Sequence, residues 1–227
     1  MTLLIDESVR LFANSEYCDS KCTEIVDYVV DYHDESRKTE DFILAVINLQ
    51  DFIDFDDFMM KAVGKQCRRD YRRALKEGYY VKVMSVEEQN NRRDELYAIN
   101  ASAEIRQGNK MSEEYFVYPD AVVPFECPLH FHKTYGVFSK EHTWVGYIYT
   151  RYCGEVASIL KILGHLKYMG TISFMMVLLF GIIKDIMEQH PVVKYFEYHL
   201  IDAGTQGLQN WKHNTGFRPV RFTGVTI

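Results

Sequence analysis

The stretch Thr143-Trp-Val-Gly-Tyr-Ile-Tyr-Thr-Arg-Tyr152, Cys153-Gly-Glu155, Val156-Ala-Ser-Ile-Leu-Lys-Ile-Leu163, followed after a loop by Thr171-Ile-Ser-Phe-Met-Met-Val-Leu-Leu-Phe-Gly-Ile-Ile183, decides the fold. β-Branched and aromatic residues crowd the first and third pieces, as they do in strands, and Cys153-Gly154-Glu155 makes the turn between them. Tyr135-Gly-Val-Phe-Ser139 reads as a strand just upstream, so three strands with short connections predict an antiparallel meander. The piece from Thr171 is apolar on every side. It is too short to cross a bilayer, which takes about 20 apolar residues, and reads as a buried core helix reaching about Gln189 before Pro191 breaks it. Residues 194–201 then form a strand, 207–215 a short helix and 217–222 the last strand.

Working back toward the N-terminus, Tyr79-Tyr-Val-Lys-Val-Met84 alternates as a strand, and residues 87–104 read as a helix with Ser85 as its N-cap. Pro119, Pro124 and Pro128 mark an irregular connection. Within residues 1–57 short helical and strand-like pieces mix, Phe42-Ile-Leu-Ala-Val-Ile-Asn-Leu49 being the best strand. The whole is an α+β chain, a mixed but mostly antiparallel sheet flanked by helices.

With 227 residues, 47% of them hydrophobic and 14% aromatic, the chain can bury a large core, which excludes disorder for its bulk. Its net charge of −6 conceals polarity: residues 1–57 carry 15 acids and 4 bases, residues 58–227 carry 17 acids and 22 bases. This marks an acidic N-terminal segment, 1–57, expected to pack on or extend a main domain, 58–227. The five cysteines form no Cys-x-x-Cys pair and are odd in number, which predicts reduced thiols and a cytoplasmic protein. The acidic residues at the start do not make a signal peptide, and no membrane partner is expected.

A helix over about 58–77, stopped by Gly78, places Lys65, Arg68, Arg69, Arg72, Arg73 and Lys76 on one stripe, with Val63, Cys67, Tyr71 and Ala74 turned inward. Such a stripe suits phosphates, on a nucleic acid or on a cofactor; it also suits a solvated face paired to the acidic segment. Cys127, His130 and His132 supply at most three metal ligands, and no fourth lies near them in sequence, so no metal is expected. Neither a Gly-x-Ser-x-Gly elbow nor a phosphate-binding Gly-x-x-x-x-Gly-Lys loop is present. Arg106-Gln-Gly108 reads as a turn that could also hold an acidic group of an acceptor.

The order of meander, glycine-containing loop, buried helix, strand, short helix and strand resembles the GNAT acyltransferase superfamily over about residues 58–224. It looks most like the Fem-type aminoacyltransferases and their single-domain relatives. Four stretches carry the likeness: Arg72-Arg-Ala-Leu-Lys-Glu-Gly78, Gly154-Glu-Val156 leading to Gly164-His165, Lys167-Tyr-Met-Gly-Thr-Ile172, and Gly207-Leu…Trp211-Lys212…Gly216-Phe217-Arg-Pro219. The resemblance implies a coenzyme A pyrophosphate over the loop and helix start, held by Ile162, Leu163, His165, Lys167, Tyr168, Met169, Gly170 and Thr171. A loop at a helix start, with its open N–H groups and positive dipole end, suits such a phosphate on its own account. The loop has one glycine where the family usually has two small residues.

The resemblance also implies a splayed cleft between residues 158–163 and 194–201. Around it Glu155, Glu197, His199 and Asp202 are candidates to take the proton of an attacking amine, Glu197 and His199 sharing one strand face. Lys212 stands where many relatives carry a tyrosine acid, and its cation would stabilise an oxyanion or a phosphate. The expected function is N-acyl transfer from an acyl-CoA, acetyl-CoA by default, to an amine-bearing acceptor. Two alternatives stay open: aminoacyl transfer using tRNA or modification of a nucleic-acid base amine, as a phage-type DNA modifier performs it, and a non-catalytic GNAT-like binding protein.

Overall fold

The structure is a computed structural model that describes residues 5–12, 18, 20–38, 43–106, 108–124, 127–170 and 173–226. Its elements run β1 (Ile5–Arg10), α1 (Ser20–Lys38), β2 (Leu44–Asn48), α2 (Phe55–Lys61), α3 (Lys65–Lys76), β3 (Tyr80–Met84), α4 (Val86–Asn91) and α5 (Arg93–Asn100). A small ladder, β4 (Ile105–Arg106) with β5 (Asn109–Lys110), precedes β6 (His130–Phe138), β7 (Trp144–Cys153), β8 (Val156–Gly164), α6 (Phe174–Gln189), β9 (Tyr195–Leu200), α7 (Gln206–Asn214) and β10 (Arg218–Thr226).

Eight strands form one mixed sheet in the order β1-β10-β2-β9-β8-β7-β6-β3. The meander β6-β7-β8 is antiparallel, as the alternating aromatic and β-branched runs predict, and β3 extends it antiparallel to β6. β8 and β9 pair parallel, which requires the crossover that α6 supplies. β2 lies between β9 and β10, and β1 pairs parallel to β10 at the edge, so strands from the acidic segment continue the same sheet.

Helices cover both faces. α6 buries Phe174, Val177, Leu178, Leu179, Phe180, Ile182, Ile183 and Ile186. A helix apolar nearly all round needs cover on its outer side too; α2 and α3 give it, with Tyr71 and Phe58 set edge-on against Phe180. At the other end of α6, Asp185 accepts from the Tyr135 hydroxyl and from Lys133 Nζ at 3.0 Å, fixing the helix along β6. The opposite sheet face takes α1 near β10 and α5 over β7, where Ile99 meets Trp144, Tyr147 and Leu163.

Two predicted helices are divided. The expected helix over 58–77 breaks at Gly64, which caps α3 in an extended conformation and donates its N–H to the Asn214 carbonyl at 2.7 Å. The expected helix over 87–104 turns at Arg92 into α4 and α5; Ser85 does cap α4, through a reciprocal pair with Glu88. Gly78 ends α3 at a φ of 89°. No helix among the described residues is long and apolar enough to cross a membrane.

Candidate functional site

β8 and β9 pair only where Val156, Ala157 and Ser158 face Tyr195, Phe196 and Glu197. Immediately beyond, β8 carries a bulge: Thr150 opposes Ile159 and Tyr149 opposes Lys161, so Leu160 is an extra residue. A bulge bends its strand and adds twist. From there β8 stays with β7 while β9 follows β2, and the two backbone edges part. A cavity of about 410 Å³ fills the opening. Ile162, Leu163 and Gly164 wall it on β8, Tyr198 on β9, Leu208 and Trp211 on α7, and Met169, Ser173 and Met175 at the start of α6, with Arg106 and Thr205 at its rim.

The chemistry of this cleft comes from few groups. Ser173 precedes α6 and its side chain makes no capping hydrogen bond, and no acidic side chain stands in the first turn. The helix therefore presents open N–H groups and its positive dipole end to the cleft mouth. Gly170 has a φ of 129°, a conformation that favours glycine, and a Cβ there would meet nothing within 4 Å. Arg106 is the charged residue of the lining. Its guanidinium reaches the Gly164 carbonyl at 2.9 Å, the Ile99 carbonyl at 3.1 Å and Ser102 Oγ at 2.8 Å, which ties β4 to the end of β8. Burial pushes the Tyr198 phenol up to about 12, so it keeps its proton at neutral pH.

The residues expected at the cofactor divide. Ile162, Leu163 and Met169 line the cleft; His165, Lys167, Tyr168 and Gly170 form the loop at its mouth; Thr171 lies outside the described residues. His165 accepts from the Lys167 backbone N–H at 3.2 Å, and burial followed by the charges of Lys167 and Arg106 lowers its pKa.

The residues expected to act as bases are not gathered around the cleft. Glu197 and His199 do share a face, but it is the α1 face; the same alternation that turns Tyr198 into the cleft turns Glu197 away from it. Glu197 is 2% exposed, accepts from Ser158 Oγ and sits 3.1 Å from His33 Nε2 on α1. Burial opposes its ionisation, yet His33, Ser158 and Arg151 together hold its carboxyl below the usual range. His199 is exposed at a φ of 50° with its ring edge-on to Tyr32. Glu155 closes the β7–β8 turn, bound to Lys194 at 2.6 Å and to Arg10 at 3.3 Å. That turn is the far end of β8 from the cleft wall at Ile162, about 23 Å along the strand at roughly 3.3 Å per residue. Asp202 is exposed in the turn after β9. Lys212 is 1% exposed and its ammonium donates to the Leu200 and Ala203 carbonyls, so it closes the β9–α7 turn beside Tyr198.

On α3 the stripe faces outward and borders an open groove of about 760 Å³ with Met60, Lys65, Gln66, Arg68, Arg69 and Arg72. Arg68 is partly committed within the chain, donating to the Met59 and Met60 carbonyls at 3.0 and 2.9 Å at the end of α2.

The expectation that Cys127 and His130 lack further ligands is overturned. The fold carries Cys18 and Cys22 to them, and the four donor atoms lie within 4.8 Å of one another. His132 is not among them; it stacks on Tyr149 with ring centroids 5.1 Å apart.

No protein-family model matches the sequence, and no curated protein matches it. Solved structures do. FemX superposes with a TM-score of 0.56 at 11% identity, over 83% of this chain and 62% of FemX. The C-terminal domain of a putative lysylphosphatidylglycerol synthetase from Agrobacterium fabrum gives a TM-score of 0.51 at 13% identity, over 78% of this chain and 58% of that one. A tandem GNAT protein from the clavulanic acid biosynthesis pathway gives 0.51 at 12%, over 94% and 59%. The fold is thus of the GNAT type, FemX-like structures included. This chain spans about three fifths of the length of each of these three.

Proposed function

We propose that the chain is an N-acyltransferase that moves an acyl group from an acyl-CoA to an amine in the cleft between β8 and β9. The observation that carries this reading is the parting of the two strands at the Leu160 bulge, directly under the uncapped start of α6. The open backbone edge of β8 beyond Ser158 would pair with the extended arm of the donor. The loop 165–170 and the first N–H groups of α6 would take its pyrophosphate. In direct attack the amine nitrogen bonds to the thioester carbonyl carbon and the C–S bond breaks; the leaving thiolate takes a proton from a hydroxyl in the cleft, and the proton shed by the amine nitrogen returns to that hydroxyl, directly or through solvent. Tyr198, protonated at neutral pH, is the hydroxyl in the cleft suited to donate it.

Thermal unfolding with acetyl-CoA and longer acyl-CoAs tests this. A donor at 100 times its Kd stabilises by about 2.7 kcal/mol, which for a chain of this size raises Tm by about 5–10 °C. Gly170→Trp is expected to abolish that rise, because the indole would occupy the space left open at Gly170. No rise with any acyl-CoA would sink the acyl-CoA reading.

The cationic groove on α3 favours a second reading, in which the acceptor or the donor is carried on a nucleic acid such as tRNA, or is a base amine of a nucleic acid. Arg68 is held by carbonyls, so the informative variant reverses Arg69, Arg72 and Lys65 to Glu. Nucleic-acid binding followed by fluorescence anisotropy should weaken as salt rises. Its log–log salt slope should fall by about 2–3 in the variant, near 0.7–0.9 per lost phosphate contact. A slope unchanged by the reversal would exclude the groove as the contact. Absence of both donor and nucleic-acid binding would leave a non-catalytic binding domain.

A further inference from the structure

We propose that Cys18, Cys22, Cys127 and His130 form a structural zinc site, independent of the acyl-transfer reading. Cys18 lies just before α1, Cys22 in its first turn, Cys127 just before β6, and His130 opens β6. More than 100 residues of chain separate the two ligand pairs, yet all four donor atoms fall within 4.8 Å of one another. His130 Nδ1 is 3.3 Å from Cys18 Sγ and 3.5 Å from Cys127 Sγ. A tetrahedral zinc with sulfur at about 2.3 Å and nitrogen at about 2.05 Å has N···S edges of about 3.5 Å and S···S edges of about 3.8 Å. The two N···S separations lie close to that edge length, and every other pair of donor atoms falls within 4.8 Å, short enough for one ion to draw them together.

The histidine is oriented for this task. Its Nε2 lies 2.6 Å from the Leu11 carbonyl oxygen, which can only accept, so Nε2 carries the proton and Nδ1 presents its lone pair. A ligating imidazole whose other nitrogen donates to a backbone carbonyl is the common arrangement at metal centres. Cys22, Cys127 and His130 are buried, and none of the cysteines forms a disulfide. Two of the three thiols lie within hydrogen-bond reach of the imidazole Nδ1, and the Cys18 thiol also donates to the Phe12 carbonyl at 3.7 Å.

The donor set identifies the metal class. Three thiolates and one imidazole are a full set of four ligands for a tetrahedral ion, which selects zinc over harder cations and marks a closed, structural site. Binding displaces three thiol protons and changes no oxidation state. The metal would join the segment that enters α1 to the start of β6. His130 pairs with Cys153 at the end of β7, so this clamp lies at the opposite end of the sheet from the cleft. It would fix α1 over β10 and β7 without touching the reacting groups.

The test is the metal content of the full-length chain, purified without a metal-chelating tag and without added metal, measured by mass spectrometry of the elements. About one zinc per chain is expected, falling below about a tenth in Cys22→Ser and Cys127→Ser. His130→Cys should keep the metal, since four thiolates also make a closed zinc site. Cys153→Ser and Cys67→Ser should keep it too. Should the ligand variants fail to fold, cobalt(II) exchanged into the wild-type chain reports the site directly. Thiolate-to-metal charge transfer with tetrahedral d–d bands supports the proposal, and an octahedral spectrum overturns it. Less than a tenth of an equivalent of zinc in the wild type, or a Cys18–Cys22 disulfide in the isolated protein, would also overturn it.

Discussion

Glu197→Ala is expected to destabilise the folded protein by about 3–5 kcal/mol, the usual cost of removing a buried carboxylate from a hydrogen-bonded network and leaving its partners buried. Both partners are inaccessible: the side chains of His33 and Glu197 are 0% and 2% exposed. The carboxylate also accepts from Ser158 Oγ at the last residue where β8 pairs with β9. Its removal strips His33 Nε2 and Ser158 of that acceptor and opens a gap between α1 and the sheet. Urea unfolding at pH 7 measures the loss. The pH dependence has a definite sign. Because the folded-state pKa of Glu197 lies below its ordinary value, its contribution is present above about pH 4.5 and is lost as pH falls through the folded-state pKa. The wild type should therefore lose more stability than Glu197→Ala between pH 5 and pH 3. Turnover per folded molecule should not change, since the carboxylate faces α1 rather than the cleft. A variant of unchanged stability with abolished turnover would refute this placement and restore Glu197 as a base.

Glu197 also shows where sequence reading reaches its limit. Period-two alternation places Glu197 and His199 together, and they are together; nothing in alternation tells which face of a strand meets the cleft. Only α1 decides that, and its His33 lies 164 residues away in sequence from Glu197. The strands β6 to β8, helix α6, strand β9, helix α7 and strand β10 are legible because each has a local cause: a β-rich run, a glycine turn, an apolar helix, a proline stop. Ile162, Leu163 and Met169, which only the resemblance to the GNAT superfamily implies at a cofactor, line the cleft. Tyr198 comes to line the cleft only because β8 leaves β9 at the Leu160 bulge, a feature with no periodic trace, while Arg106, a candidate for holding an acidic group of an acceptor, is placed at the cleft by the β4–β5 ladder. Cys18 and Cys22 escape for a related reason. Their four-residue spacing carries meaning only when a second pair, Cys127 and His130, is brought alongside by the whole sheet. Arg68 carries a converse lesson, since a helical stripe of cations is legible at once while the carbonyls that engage one of them are not.

Gly154→Val is the second large effect, expected to cost about 3 kcal/mol or more in stability and to loosen the N-terminal layer. Gly154 has a φ of 56°, and a Cβ there would collide with the Arg10 carbonyl oxygen and stand 2.7 Å from Leu11 Cα. These are backbone atoms, so no side-chain rotation relieves the contact. A β-branched residue in this conformation adds at least about 1 kcal/mol of backbone strain of its own. The chain beside the turn is held by reciprocal bonds: the Glu155 N–H donates to the Arg10 carbonyl at 2.9 Å, and the Arg10 N–H donates to Glu155 Oε2 at 2.9 Å. Pushing residues 10 and 11 outward breaks this pair. It also withdraws the Leu11 carbonyl that orients His130, while the Gly154 N–H bond to the Leu129 carbonyl, 3.0 Å long, transmits the same shift to β6. Urea unfolding and zinc content should therefore fall together in Gly154→Val. Donor binding, measured below the variant's melting temperature, should persist, because the turn and the cleft lie at opposite ends of β8. Loss of donor binding without loss of stability would contradict that separation.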